Sequence, residues 1–183
     1  QYLQQGEQKM RELKYAILGL VNRKPYTGYD ISREFGDLVM SNFWHARHSQ
    51  IYPELQRLTE EGCVEFDVTV QGQKMEKKCY HITDKGHREF MEWLNTDEKL
   101  GFTPKDVFRL RSYFADGLER AEYVQLLKSQ LEKHSAKEKY LSDSMQSSFQ
   151  ERPAVGTAQL GDYMVLEGAI MRERTYMEWL EKC

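Results

Sequence analysis

Cysteine is scarce in this chain, and its spacing suggests neither a bridge nor a metal knuckle. Cys63, Cys79 and Cys183 are odd in number and lack any CxxC pair, which argues against a disulfide framework and suits a reducing cytoplasm. No apolar run approaches the roughly 20 residues that span a bilayer, and no secretory h-region is present; no membrane partner is expected. Also missing are a nucleophile elbow, a phosphate-cradling glycine loop and paired carboxylates in an apolar setting, so neither catalysis nor a cofactor is expected.

A surplus of positive charge is absent too. The 183 residues carry a formal charge of −3, with 40% hydrophobic and 30% charged residues, as a soluble globular chain of one or two domains does. That balance argues against promiscuous coating of nucleic acid. It leaves room for a focused contact, because salt confines a surface field to about 8 Å. Locally the sign reverses. Residues 70–78 hold Lys74, Lys77 and Lys78 against Glu76, and residues 44–57 hold Arg47 and Arg57 against Glu54, with His45 and His48 beside them.

Residues 1–9 are polar and glutamine-rich, an extension ahead of the first periodic segment. From Met10 to Arg23, Leu13, Ala16, Ile17, Leu20 and Val21 form one buried helical stripe, which Pro25 ends. Thr27-Gly28-Tyr29-Asp30 reads as a capping box opening a second helix with Ile31, Phe35 and Leu38 inward. A third helix starts near His48 or Ser49, with Pro53 in or just beyond its first turn. Ile51, Leu55 and Leu58 are its core stripe, and Gly62 is placed as a left-handed C′ residue. Cys63 to Val70 alternates, with Val64, Phe66, Val68 and Val70 on one side of a strand. Gly72 marks a turn, Lys77 to Ile82 returns, and Thr83 caps a fourth helix carrying Phe90, Trp93 and Leu94.

Asn95 to Pro104 reads as the joint between two domains, residues 10–95 and 96–183. Thr103-Pro104 resembles a cap followed by a proline at the first helical position. Helical segments are expected at about Pro104–Asp116, Glu119–Ser148 and Thr157–Lys182. The middle one has Val124, Leu127, Leu131, Leu141, Met145 and Phe149 on a seam that His134 and Glu138 interrupt. The last has Leu160, Tyr163, Met164, Ile170, Met177 and Leu180. Helices of ~20–30 residues reach roughly 30–45 Å, and pairing with a second copy is the economical way to cover their apolar stripes.

Helix, link, helix and basic hairpin together make a winged helix-turn-helix, whose second helix can enter a DNA major groove. The expected fold class is mostly α with a small β-wing: an N-terminal winged helix-turn-helix plus a C-terminal α-helical dimerisation domain. The DNA-binding candidates are Arg47, His48, Ser49, Gln50 and Tyr52 at the helix tip, Lys74, Lys77 and Lys78 on the wing, and Tyr29 at the start of the second helix. Gln can pair bidentately with adenine and Ser is an adaptable donor. The structural alternatives are that Ser49 caps the helix, Tyr52 packs under the wing, Tyr29 packs on Trp44, and the lysines merely guard a strand edge. Phe43-Trp44 reads as core. His45, His48, Cys63, Cys79 and His81 lack C-x2-C or H-x3-H spacing, so no metal is expected; strand cysteines are inert hydrophobes rather than switches.

Several stretches closely resemble the PadR family of bacterial regulators: Leu13-Lys14-Tyr15-Ala16-Ile17-Leu18-Gly19-Leu20, Thr27-Gly28-Tyr29-Asp30-Ile31, Phe43-Trp44, and His48-Ser49-Gln50-Ile51-Tyr52-Pro53-Glu54-Leu55. The likeness continues through Leu58-Thr59-Glu60-Glu61-Gly62 and the wing. It runs on from Asp106-Val107-Phe108 to Glu178-Trp179-Leu180. The wing and Asp162-Tyr163-Met164-Val165-Leu166 are most similar to the phenolic-acid-responsive branch. The resemblance implies a cytoplasmic homodimeric repressor that exchanges C-terminal helices and sits on an inverted-repeat operator. It implies release by a hydroxycinnamic acid such as p-coumaric acid, and control of a phenolic acid decarboxylase gene. Lys14, Tyr15, Tyr163 and Arg172 could supply the donor, cation and apolar wall such an effector needs. Other long relatives control efflux or virulence genes. From a different class, a protein-interaction module that never meets DNA is the competing reading, and the basic wing argues against it.

Overall fold

A computed structural model of the chain describes the backbone of residues 2–71, 75–98, 100–101 and 103–183; side chains are described over the same residues except 2–11, 38, 69–71, 75 and 76. It divides into two units, Gln1–Lys99 and Leu100–Cys183, a boundary a few residues beyond the one expected from composition. Among the described residues no helix is long and apolar enough to cross a membrane.

The first unit runs α1 (Tyr2–Arg23), β1 (Tyr26–Thr27), α2 (Gly28–Glu34), α3 (Leu38–Ser41), α4 (His48–Glu60), β2 (Val64–Gln71), β3 (Met75–Ile82) and α5 (Asp84–Leu94). Helix α1 starts eight residues before Met10, through residues that are mostly good helix formers. The strands form an antiparallel sheet in the order β1-β3-β2. Strand β1, which periodicity could not reveal in two residues, pairs Tyr26 with Tyr80 and Thr27 with Cys79. Thr27 closes the expected capping box: its Oγ1 accepts from the Asp30 N–H and the Asp30 carboxylate accepts from the Thr27 N–H. Leu38 falls in α3 rather than α2, and its side chain lies outside the described residues.

Among the described residues the buried core of this unit is drawn from α1, α2, α4, α5 and the sheet, with Met40 of α3 packed against it. Leu13, Ile17, Leu20 and Val21 of α1, Ile31 of α2, Ile51, Leu55 and Leu58 of α4, Val64 and Tyr80 of the sheet and Phe90 of α5 form one buried cluster. Pro53 is the sixth residue of α4, just beyond its first turn, so the Ser49 carbonyl has no N–H at that position to accept. The helix ends as a Schellman turn: Gly62 is left-handed at φ 68°, its N–H donates to the Thr59 carbonyl, and the Cys63 N–H donates to Leu58. Helix α5 seats on that turn. Thr83 donates its N–H to the Cys63 carbonyl and its hydroxyl to the Gly62 carbonyl. A side chain at Gly86 would place Cβ 2.0 Å from the Cys63 carbonyl oxygen, so the seat requires glycine.

Behind this joint lies a buried charge. Lys14 is 4% exposed, and its ammonium lies 2.6 Å from Glu61 and 2.7 Å from Glu89. Burial alone lowers its pKa, but hydrogen bonds to Glu61 and Glu89 outweigh that and raise it. The Glu89 carboxyl is held below its ordinary value, first by the Lys14 hydrogen bond. The next residue, Tyr15, stacks on Trp93 of α5 with ring centroids 4.8 Å apart and planes 4° from parallel.

The second unit contains α6 (Val107–Tyr113), a 3-10 turn (Ala115–Gly117), α7 (Arg120–Ser148) and α8 (Ala158–Lys182). Asp106, not Thr103, caps α6: its Oδ1 accepts from the Arg109 N–H, and Oδ2 accepts from the Tyr176 hydroxyl at 2.7 Å. The pairs Phe149–Tyr163, Glu138–Arg174 and His134–Tyr176 show that α7 and α8 run antiparallel. The breaks expected at His134 and Glu138 are polar clasps. Glu173, 4% exposed, pairs with His134 at 2.5 Å and Lys137 at 2.8 Å, while Glu138 pairs with Arg174 at 2.7 Å. Leu141 and Leu166 are buried between them, but Val124 is exposed, so the α7 seam closes only over its later half.

The Lys14 joint makes a linked prediction. Lys14→Met strands two carboxylates, and unfolding free energy is expected to fall by about 2–3 kcal/mol near neutral pH, below the value for a fully buried pair because both acids reach solvent. Glu89, depressed in the folded state, contributes stability above the ordinary carboxylate pKa and loses it as pH falls through its folded value. The wild-type advantage over Lys14→Met should therefore shrink in urea titrations taken from neutral to acid pH. A constant difference would contradict this account of the joint.

Candidate nucleic-acid interface

The α4 stripe of Ile51, Leu55 and Leu58 turns inward, which forces the alternate positions of the first two turns outward. His48, Ser49, Gln50 and Tyr52 are all exposed, as is Arg47, the N-cap residue. Ser49 is therefore the second helical residue and does not cap. Gln50 does, with its Oε1 accepting from the Arg47 N–H at 2.9 Å. Sequence reasoning assigned Gln50 no structural task; its third position in the helix is the signal that could have found this one. The imidazole of His48 lies over the Tyr52 ring, centroids 4.8 Å apart. Tyr29, at the start of α2, is 67% exposed, and Phe43 is likewise exposed rather than core. Trp44 alone of that pair packs against the core, with its Nε1 buried and unpartnered.

Strand register sorts the wing. Lys78 lies opposite Val68 and Lys77 opposite Thr69, so the two lysines project from opposite faces. Lys78 shares its face with Phe66 and Tyr80, the face turned toward the core and α4, and its ammonium lies 4.2 Å from the Phe66 ring centroid. Lys77 shares the other face with Glu65, Asp67 and His81, where His81 pairs with Glu65 at 3.2 Å and Asp67 at 3.8 Å. The carboxyl of Asp30 is held low first by the Thr27 hydroxyl and then by other partners, Lys77 last among them. Lys74 lies outside the described residues.

The structure also places the remaining candidates. Cys63 is buried in the α4–α5 joint, and burial pushes its thiol pKa up. Glu61, Cys63 and Glu89 come within ligand distance of one another, but Lys14 sits on both carboxylates and is itself the cation there. Lys14, an effector candidate by sequence, is thus already paired in this structure with two carboxylates. Tyr15 is engaged with Trp93, whose part in this stack no sequence pattern announced. In the second unit Tyr163 lies edge-on to Phe149, its hydroxyl 3.4 Å from Glu167, and Arg172 is exposed on α8.

Residues 17–92 match the transcriptional regulator PadR-like family, and residues 104–183 match the family described as virulence activator alpha C-term. The chain belongs to the PadR-like family of transcriptional regulators. It is 44% identical over 178 residues to the negative transcriptional regulator PadR of Bacillus subtilis, covering 94% of this chain and 95% of that one. The crystal structure of Bacillus subtilis PadR with operator DNA is similar at a TM-score of 0.88 and 42% identity, over 93% of this chain and 96% of the other. The same regulator with p-coumaric acid is similar at 0.82 and 39% identity, over 93% and 95%.

The register yields a salt test. Lys78→Ala is expected to reduce the slope of log affinity against log salt by about one on duplex DNA. Lys77→Ala, on the face that also carries Glu65 and Asp67, should change it by less than half as much. The reverse order would show that the outer face of the wing meets the phosphates.

Proposed function

We propose that this chain is a DNA-binding transcriptional repressor, acting as a homodimer on an inverted-repeat operator and released by a small aromatic acid of the hydroxycinnamic class, such as p-coumaric acid. The observation that carries the reading is its near full-length likeness to a negative regulator solved with both operator DNA and p-coumaric acid. The geometry is consistent with it. An exposed helix tip offers Arg47, His48, Ser49, Gln50 and Tyr52, and the adjoining wing face adds Lys78. Tyr29 and Lys77 are proposed as flanking phosphate contacts, and Lys74 as one at the wing tip.

The second unit supports pairing. Val107, Leu110, Tyr113 and Phe114 leave an apolar surface open on and just after α6, and Met164 and Met171 do so on α8; such surface suits a second copy. A two-fold dimer would present its reading helices to successive major grooves, about 10 bp apart. The cytoplasm, where bacterial promoters lie, is the proposed compartment. For the effector, Lys14, Tyr15, Tyr163 and Arg172 stay as candidates. An acid that favours a dimer with differently spaced reading heads weakens operator binding by that preference alone. A 100-fold preference corresponds to a coupling of about 2.7 kcal/mol, within the usual range for allostery.

Reciprocity provides the test. Hydroxycinnamic acids titrated into the free protein, and into the protein bound to a duplex it has selected from a random library, should bind the DNA-bound form more weakly. The factor must equal the one by which the acid weakens DNA binding. Equal affinity for both forms would rule out effector control, and failure to select any duplex would rule out the DNA-binding reading itself.

A further inference from the structure

Gly28 opens α2, and its backbone does not need to be glycine. Only Gly62 and Gly156 among the described residues have positive φ, so any residue could adopt the conformation of position 28. What forbids a side chain there is Tyr52. A Cβ on Gly28 would lie 2.8 Å from Tyr52 Cε1, 3.0 Å from Cζ and 3.2 Å from the hydroxyl oxygen. The first two distances are closer than carbon atoms pack. The glycine is buried beneath the ring, whereas Tyr52 itself is 43% exposed.

One further contact and one electrostatic neighbour surround the same ring. His48, one turn earlier on α4, lies over it. Tyr80 of β3 is close enough that, after burial, Tyr52 is the other influence raising its pKa. The ring thus lies against the tip of α4 and the start of α2, within electrostatic range of the root of the wing, while part of it still faces solvent. A free tyrosine loses rotamer freedom when it orders against a partner. One already seated between α2 and the tip of α4 loses less.

We propose that Gly28 is a positioning residue for operator recognition: the missing side chain is the socket that sets the height of the Tyr52 ring, and with it the His48 imidazole stacked on that ring, at the reading edge of α4. This rests on the reading of the α4 tip as the operator-binding face. Gly28 itself touches no DNA. It acts through Tyr52, which makes the two residues thermodynamically coupled.

The proposal is tested by a double-mutant cycle on a duplex selected by the wild-type protein from a random library. The proteins are wild type, Gly28→Ala, Tyr52→Ala and the double variant, with affinity followed by fluorescence anisotropy at fixed salt. An Ala at this helix start needs only the far end of the Tyr52 side chain to give way, so thermal stability should hold or rise slightly. Gly28→Ala is expected to weaken the selected duplex about five- to ten-fold in the wild-type background and less than two-fold in the Tyr52→Ala background. Affinity for unrelated duplex and the salt slope should stay unchanged. Gly28→Ser, which places a Cβ at the same point, should behave alike and gives a second probe if the Ala variant is poorly folded. Equal losses in both backgrounds, or no loss at all while Tyr52→Ala weakens binding, would overturn the positioning role and leave the reading face standing. A Tyr52→Ala variant that binds the duplex as well as wild type would remove Tyr52 from the face, and the proposal with it.

Discussion

A single ammonium, that of Lys14, holds together the three helices on which the reading head depends. It belongs to α1, and its two carboxylates belong to the end of α4 and the middle of α5. Taking an ammonium out of water is costly, and the short contacts to Glu61 and Glu89 offset that cost only while all three groups keep their places. The same stretch of chain supplies the other fasteners: the left-handed turn at Gly62, the Thr83 bonds to Gly62 and Cys63, and the close seat of Gly86. The C-terminal end of α4 is thereby immobilised from three sides. Its N-terminal end, which carries no buried charge of that kind, is left as the part presented outward.

That asymmetry explains how a slightly anionic chain can address DNA. Several acidic groups near α4 are paired within the fold: Glu61 and Glu89 to Lys14, Glu54 to Arg57, Asp30 to Thr27. What remains outward at the tip is polar or cationic. On the wing, strand alternation sets Lys78 on the side of α4 and Lys77, Glu65 and Asp67 on the other. A focused field of one sign on one face is what a site-specific contact needs, and net charge does not report it.

Much of this was legible in the residues. The stripe Ile51, Leu55 and Leu58, the caps at Thr27 and Thr83, and the glycine at 62 fix α2, α4 and α5 by local rules that tertiary contacts did not override. The extents of α7 and α8 followed from periodicity in the same way. What stayed hidden was set by partners far along the chain. Strand β1 exists only because β3 is there to pair with. Asp106 wins the α6 cap over Thr103 because Tyr176, on another helix, also donates to it. The pairing of Lys14 was hidden because a sequence shows its charge but not the two carboxylates that enclose it. Gln50 looked free for DNA because its capping bond goes to a backbone N–H, which no side-chain pattern displays.

The central claim is geometric: two α4 tips, braced from behind and related by a two-fold axis, enter neighbouring major grooves of one duplex. Hydroxyl-radical footprinting at modest ionic strength, on a palindromic duplex selected by the protein, tests it most directly. The account predicts two protected tracts of equal depth, centred about 10 bp apart and flanked by weaker protection where the wings lie. A single tract, or no protection even at low salt, would contradict it.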